Sequence, residues 1–157
     1  MPGAPSGSAA LDAASDIFLH VEGRGGPIRG ESTTSGHTDD IELRSWQWGV
    51  SAGSAIGSGA ATARRSYRNL VVTKGIDRAT TALYAALVQN VDLREVVLTM
   101  RKAGGEALDY FRVALGNARV VDVALDVDLA ARPVERVTFS FRRITVTYTP
   151  QQGGGSG

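Results

Sequence analysis

The sequence reads VVLTMRKAGGEALDYFRVALGNARV from Val96 to Val120, and this stretch decides the fold. Its apolar residues alternate in strand-like segments that are joined through Gly104-Gly105 and Gly116-Asn117, and such pairs are typical of tight turns. Alternating segments separated by turns predict a β-meander, from which antiparallel sheets and barrels are built.

A period of two continues beyond this stretch. Between Val121 and Leu129 the odd positions are apolar and most even positions are aspartate, which predicts a strand with one apolar and one acidic face. Further along, the apolar set changes parity at Arg142-Arg143, and a β-bulge there would restore the phase. The same change occurs at Arg44-Ser45. Strands that bend at bulges are typical of barrel corners, although each strand could instead serve two surfaces without a bulge.

One segment departs from the β pattern and predicts a helix. From about Arg78 to Gln89, apolar residues recur at helical spacing, with Asp77 as the expected N-terminal cap and Asn90 as the stop. Arg78 is the only charged residue of the segment. Because a helix on the flank of a monomer needs a polar outer face, this composition predicts burial on a second side, most simply against another subunit.

Composition excludes several classes of protein. The 157 residues are 43% hydrophobic and 21% charged, which suits one domain over residues 16–150 between a small-residue arm (1–15) and a Gly/Ser-rich tail (151–157). The net charge of +1 provides no overall field for nucleic acid or anionic membrane. The sequence has no cysteine, no signal-peptide pattern and no apolar run of membrane-spanning length. We therefore expect no nucleic-acid partner and no membrane insertion.

Two segments rich in glycine and serine, Gly23 to Asp40 and Ser51 to Ala63, are predicted to be long loops. Loops of this length are usually functional or ordered by a partner. The shorter Gly104-Gly105 turn leaves Arg101 and Lys102 as expected charges at the rim of the sheet.

Groups that could carry chemistry are scattered. His20 lies in a strand and His37 in a polar loop, and neither has a second ligand at helical spacing. Asp122, Asp126 and Asp128 are expected on one strand face, where carboxylates more often pair with arginine across the sheet or stay hydrated than bind a metal. No Lys-Ser/Thr follows the glycines at 53–59, and no G-x-S-x-G elbow occurs. We therefore expect no catalytic residue, no metal and no cofactor.

Trp46 and Trp48 are the largest aromatic pair. Their spacing places both indoles on one side of a strand, where they could stack bases or sugars. A stacking platform would carry interleaved basic residues, and only Arg44 is close in sequence. Neighbouring apolar strands therefore favour packing in the core.

Four further motifs combine with the opening stretch into a family resemblance. They are DIFLHVEG (Asp16 to Gly23), IRGES (Ile28 to Ser32), IELRSWQWGVS (Ile41 to Ser51) and VTKGIDRAT (Val72 to Thr80). In the residues of these motifs and in their order, the chain from about Asp16 to Gln151 resembles the Hcp family, the inner-tube proteins of the type VI secretion system.

The resemblance implies a mainly β fold, an antiparallel β-barrel of two packed sheets with one flanking α-helix. It implies a structural protein without enzymatic activity, which forms hexameric rings that stack into a hollow tube. The implied partners are further copies of the chain, the sheath, spike and baseplate proteins, and effectors carried in the lumen. The implied location is the bacterial cytoplasm during assembly and the extracellular space after sheath contraction.

Candidate interaction residues follow from the pattern and the resemblance together. For the subunit interface we predict residues on or beside the uncharged helix surface, namely Arg78, Tyr84 and Val88. For ring stacking we predict a loop tip whose lone large aliphatic has no local core to join, namely Ser54, Ile56 and Ser58. Ser32, within the family motif GES, is the candidate for contact with cargo in the lumen.

The chain also differs from the usual sequence pattern of the family at three places. The N-terminal arm precedes the usual start, Thr80-Thr81 replaces a frequent Ser-Pro, and the loop after Leu129 is short. Two alternatives remain open at this point. One is a tail-tube protein of a phage-like extracellular contractile particle, and the other is a monomeric barrel in which the Trp pair and Tyr110 line a small-ligand pocket.

Overall fold

β-Structure dominates the fold, as the alternating sequence predicts. The computed structural model describes residues 14–53, 64–104 and 107–150. These residues form ten strands and one helix: β1 (Ser15–Gly23), β2 (Gly26–Ile28), β3 (Ile41–Leu43), β4 (Ser45–Gln47), β5 (Val50–Ala52), β6 (Arg65–Tyr67), β7 (Leu70–Lys74), α1 (Ala79–Val88), β8 (Leu93–Lys102), β9 (Asp109–Val127) and β10 (Pro133–Tyr148).

Eight strands form one antiparallel sheet in the order β2-β1-β8-β9-β10-β7-β4, with β3 paired to β1, and β5 and β6 form a second sheet. The chain passes directly from β3 to β4 at Arg44, whose N–H donates to the carbonyl of Thr73 at 2.7 Å. This one segment therefore pairs with both ends of the large sheet, although the hydrogen-bonded ladder itself is not closed. Of the two interpretations left open at Arg44-Ser45, the bulge is wrong and the one without a bulge holds, because the two halves of the segment pair with two different strands.

The predicted turn at Gly116-Asn117 is also wrong, because β9 runs through these residues without a break. Asn117 adopts a φ of 52°, a conformation that asparagine tolerates better than most residues. The buried side of β9 moves from Val113 and Leu115 to Ala118 and Val120 at this point. The left-handed conformation of Asn117 thus changes which side of β9 is buried, and the strand continues.

The opposite strand explains why Arg142-Arg143 needs no bulge. Phe141 pairs with Ala118 and Arg143 with Gly116, so the register of β10 on β9 is the same on both sides of Arg142. In both strands the buried side chains change between odd and even positions at this point. The residue pairs on either side therefore keep the same register. The register shift lies elsewhere, between Thr138 and Phe139 of β10.

The core lies between the curved sheet and the inner side of α1. Its fully buried side chains include Leu19, Ile41, Leu83, Leu98, Leu115 and Phe139. Burial of a large aliphatic or aromatic side chain stabilises the fold by about 1.5–3 kcal/mol. The helix is therefore fixed to the barrel by Ala79, Leu83 and Ala86, and its other side faces outward.

Both ends of α1 are close to those predicted. The Asp77 carboxylate accepts the N–H of Ala79 at 2.9 Å, in the manner of an N-terminal cap. At the other end Asn90 has a φ of 53°, its N–H donates to Leu87, and the N–H of Val91 donates to Ala86. This pair of bonds is a Schellman motif, which ends the helix.

A buried ion pair joins the start of α1 to two strands. Lys74 ends β7, Glu135 lies in β10, and both are 0% exposed with Nζ and Oε2 2.5 Å apart. The Thr80 hydroxyl donates to the same Glu135 oxygen at 2.7 Å, and the Lys74 ammonium also contacts Asp77 at 2.7 Å. The other Glu135 oxygen has no hydrogen-bond partner among the described residues. Charges that are fully buried hold a fold together only while both partners are present.

Candidate assembly surfaces

The outer face of α1 carries no charge and is accessible on the single chain. Tyr84 is 57% exposed and Val88 66% exposed, and Ile76, just before the helix, is 60% exposed. Large apolar side chains clustered on one face are typical of a protein–protein contact. The predicted interface residues Tyr84 and Val88 thus lie where a neighbouring subunit could reach them, and their role stays a prediction.

Arg78 has a different position from the other two predicted interface residues. Its guanidinium donates to the carbonyl of Gly30 at 2.9 Å and contacts the Asp39 carboxylate at 3.3 Å. Its backbone N–H donates to the Glu31 carboxylate at 2.6 Å. Arg78 therefore ties the 29–40 segment to the start of α1, and its part in a subunit contact stays a prediction.

A second exposed apolar surface lies on the β9–β10 hairpin. The exposed side chains are Leu125 at 57%, Val127 at 59% and Leu129, which is fully exposed. They occupy the next odd-numbered apolar positions of β9 and its turn, beyond the part of the sheet that covers the core. The sequence predicts this apolar strand face, but alternation alone does not reveal that its end projects beyond the core.

The turn of this hairpin is fixed by Asp128. One carboxylate oxygen accepts the N–H groups of Arg132 and Ala130, each at 2.9 Å, and the other accepts the Arg132 guanidinium at 3.0 Å. These bonds to the backbone of Arg132 lower the pKa of the Asp128 carboxyl below its usual value. Asp128 thus pairs with an arginine, but with Arg132 in its own turn and not across the sheet as expected.

The 23–40 segment is more ordered than its composition predicts. Residues Gly26–Ile28 form strand β2 against β1, so the prediction of one long loop is wrong. After β2, Ser32 exchanges backbone hydrogen bonds with Asp39 and Asp40, and its hydroxyl accepts the N–H of Thr34 at 3.2 Å. Ser32 is only 2% exposed, so its described contacts shape the loop. The predicted contact with cargo stays a prediction.

Gly30 is the tightest point of this segment. A Cβ atom at Gly30 would lie 2.5 Å from the carbonyl oxygen of Asp40 and 2.6 Å from the Cα of Ile41. Both are backbone atoms of the chain that leads into β3, so the contact cannot be relieved by turning a side chain. Only glycine fits where the two backbones approach.

We expect Gly30→Ala to reduce the free energy of unfolding by at least ~2 kcal/mol, because the overlap forces backbone movement beside the buried Ile41. Urea unfolding followed by circular dichroism measures the change. Gly25→Ala is the matched control, since a Cβ at Gly25 meets nothing within 4 Å. Equal stability of the two variants would contradict the close approach.

A polar network holds the 29–40 segment on the barrel. His37 is 6% exposed, and its two ring nitrogens lie 2.9 Å from carboxylate oxygens of Asp40 and Asp109. Its ring stacks on Phe18 with centroids 4.2 Å apart. Arg101 contacts the same Asp109 oxygen at 3.1 Å and is 8% exposed, so the expectation that it is a rim charge is wrong.

His20 extends this network toward solvent. Its Nδ1 lies 3.0 Å from Asp40 and its Nε2 3.1 Å from Glu22. Burial lowers the pKa of His20, but hydrogen bonds to Asp40 and Glu22 and the charges of these carboxylates outweigh it and raise the pKa above 6.5. Carboxylate oxygens only accept, so the doubly protonated ring satisfies both contacts.

The raised pKa of His20 predicts a pH-dependent contribution to stability. This contribution is fully present below pH 6.5, the model-peptide value, and is lost as the pH rises through the higher folded pKa. We therefore expect His20→Gln to reduce the free energy of unfolding more at pH 5.5 than at pH 8.5. Parallel urea titrations of wild type and variant measure this difference. A cost that is the same at both pH values would contradict the assigned contacts.

The remaining predicted residues divide into two groups. Trp46 and Trp48 pack against the core, and the Trp46 indole stacks on Phe111 with centroids 5.9 Å apart, so their core role is confirmed. The stacking candidates Ser54, Ile56 and Ser58 lie outside the described residues.

The described part of the chain contains neither a cluster of metal-ligating side chains nor a helix able to span a membrane. No group of three His, Cys, Asp or Glu residues in 14–53, 64–104 and 107–150 is arranged to hold a metal ion. Among the helices of that part of the chain, none combines the length and apolar character needed to span a bilayer.

Comparisons with known proteins agree with this architecture. A family described as "Type VI secretion system effector, Hcp" matches residues 18–148. Protein hcp1 of Pseudomonas aeruginosa is 31% identical over 145 residues, which cover 90% of this chain and 87% of that protein. The "Major exported protein" of the same species is 27% identical and covers 81% and 79%. The crystal structure of Hcp1 from Salmonella typhimurium has a TM-score of 0.71 and 30% identity, and covers 87% of this chain and 88% of that one.

The fold is thus that of a mainly β secretion-system protein with one flanking helix. The family match spans most of the sequence, and this chain belongs to the Hcp family of type VI secretion. The predicted fold class and family are therefore confirmed.

Proposed function

We propose that this chain is a structural tube subunit, which closes into hexameric rings that stack into the inner tube of a contractile type VI secretion apparatus. The observation that carries the proposal is the uncharged outer face of α1, with Tyr84 and Val88 more than half exposed. An exposed apolar surface of this kind lowers the solubility of an isolated chain, and its burial by a second copy is favourable. Family membership supports the same assembly.

A closed ring requires two different surfaces on each subunit, because head-to-tail contacts join unlike patches. The described chain exposes several apolar surfaces, which also include Val50 with Tyr67 and Val146 with Tyr148. Two of them are the outer face of α1 and the hairpin face formed by Leu125, Val127 and Leu129. We assign these two surfaces to opposite sides of one contact, so that the hairpin face of each copy covers α1 of the next. Each copy then buries both surfaces and the ring leaves neither exposed.

The tube function includes partners and a change of location. Rings stack through the segment that holds Ser54, Ile56 and Ser58, and the lumen carries effectors during transit. The growing tube contacts spike, baseplate and sheath proteins, and contraction of the sheath moves it out of the cytoplasm. The work of the protein is assembly, and bond chemistry has no part in it.

Export by a contractile apparatus tests this function. In the bacterium that encodes the chain, we expect the protein in the culture medium of the parent strain and its loss from the medium when the sheath gene is deleted. A cytosolic protein measured in the same samples controls for lysis. Equal amounts of the chain in both media would overturn the proposed function.

A further inference from the structure

Four arginines surround one open pocket at the C-terminal end of α1. The pocket has a volume of about 560 Å³, and among the described residues it is lined by Arg24, Arg94, Arg119 and Arg142, with Asp92 as the one acidic residue. This volume lies in the range of small-molecule sites. Because the whole chain carries a net charge of only +1, a local excess of three positive charges is a property of the pocket rather than of the protein.

Two of the arginines contact Asp92. One of its oxygens lies 2.6 Å from Nε of Arg119, and the other lies 3.5 Å from the Arg24 guanidinium. Arg119 also donates to the Asn90 side-chain oxygen at 3.1 Å. Asp92 thus orients the guanidinium of Arg119, whereas Arg24, with 79% of its side chain exposed, only approaches the other oxygen.

The other two arginines have no hydrogen-bond or ion-pair partner within the described part of the chain. Their positions follow from the strand register. Leu93 and Glu95 pair with Ala118 and Gly116, so Arg94 of β8 lies level with Asn117. Phe141 and Arg143 pair with the same two residues, so Arg142 of β10 lies level with Asn117 from the other side.

Arg94, Asn117 and Arg142 therefore form one row across three strands. With neighbouring strands ~4.8 Å apart, the two arginine Cα atoms are about 10 Å apart, and a single bound anion can receive both flexible side chains. The left-handed Asn117 has no Cα partner in either neighbouring strand, although β9 continues through it, and both arginines line the same pocket. Guanidinium groups bind phosphate and carboxylate oxygens through paired hydrogen bonds.

We propose that this pocket binds a small anion with two or more negative charges, of the phosphate-ester or polycarboxylate class. Arg94 and Arg142 bind the anion directly, Arg119 adds charge from a position that Asp92 orients, and Arg24 adds charge from the exposed rim. This binding activity is separate from ring assembly and goes beyond the proposed tube function.

Isothermal titration of the full-length protein with pyrophosphate in one arm and citrate in the other tests the site. We expect saturable binding of one anion per chain that weakens as sodium chloride is raised, because salt screens exposed charges. The arm with the tighter binding distinguishes a phosphate-bearing ligand from a polycarboxylate. Arg94→Gln with Arg142→Gln should weaken binding about tenfold or more.

A double variant with the same change of charge is the control. Arg112→Gln with Arg136→Gln removes two exposed strand arginines outside the pocket. It should change the affinity less than about twofold, because salt screens charges that lie far from the bound anion. Light scattering on all three proteins reports the assembly state separately. Absence of saturable binding to either anion, or equal weakening in both double variants, would overturn the site and leave the tube function untouched.

Discussion

We expect Tyr84→Lys with Val88→Lys to convert the proposed ring into single chains. Each apolar side chain contributes about 1.5–3 kcal/mol when it is buried against a neighbour, and an unpaired ammonium in its place adds a desolvation cost. Both residues are exposed on the single chain, and lysine is a good helix former, so the fold of the subunit is retained. Size-exclusion chromatography with light scattering measures the loss of mass, and circular dichroism measures the retained fold.

The control variant keeps the apolar surface at the same positions. Tyr84→Phe with Val88→Ile should assemble like the wild type, because the buried area is nearly unchanged. A lysine variant that retains the full ring mass would contradict the role of the outer face of α1.

A mixing experiment tests which surface covers the helix. A second variant, Leu125→Lys with Val127→Lys, should also be a single chain, because it disrupts the hairpin face. A one-to-one mixture with the helix variant still contains one intact contact, between the hairpin of one chain and α1 of the other. The expected product is a heterodimer of twice the chain mass, and a mixture that stays monomeric would contradict the assigned pairing.

Lys74→Met has the largest expected effect on stability. It leaves the Glu135 carboxylate fully buried with only the Thr80 hydroxyl as a partner. Removing one member of a buried ion pair costs ~3–5 kcal/mol. The whole domain is stable by only about 5–15 kcal/mol, so the variant unfolds at a much lower urea concentration. Urea unfolding followed by tryptophan fluorescence measures the shift.

The double variant separates the ion pair from packing. Lys74→Met with Glu135→Met removes both charges and keeps apolar side chains of similar length, so most of the lost stability should return. A Lys74→Met variant within about 1 kcal/mol of wild type would contradict the buried pair.

The sequence predicts the local structure well because its periodicity is strong. Alternation identifies the long strands, and Asp77 and Asn90 identify the two ends of α1. The same reasoning fails at Gly116-Asn117, because a glycine next to an asparagine is typical of a turn and equally permits a left-handed residue inside a strand. Only the register of the neighbouring strands distinguishes the two.

Contacts between distant residues are beyond local pattern reasoning. Lys74 and Glu135 are 61 residues apart in the sequence. Each stands at a position where its strand would otherwise bury an apolar side chain, but this pattern does not show that the two residues meet. His37 lies in a polar segment, yet it becomes buried because Asp109 is supplied by a strand 72 residues further along. The exposed apolar side of α1, in contrast, follows directly from its lack of charged residues.

The mass of the wild-type chain in solution tests the account most directly. Size-exclusion chromatography with light scattering at high protein concentration should give six times the 16.5 kDa subunit mass, or larger stacked species. Every copy then covers the apolar face that its neighbour presents. A monodisperse species of 16.5 kDa under these conditions would contradict the account.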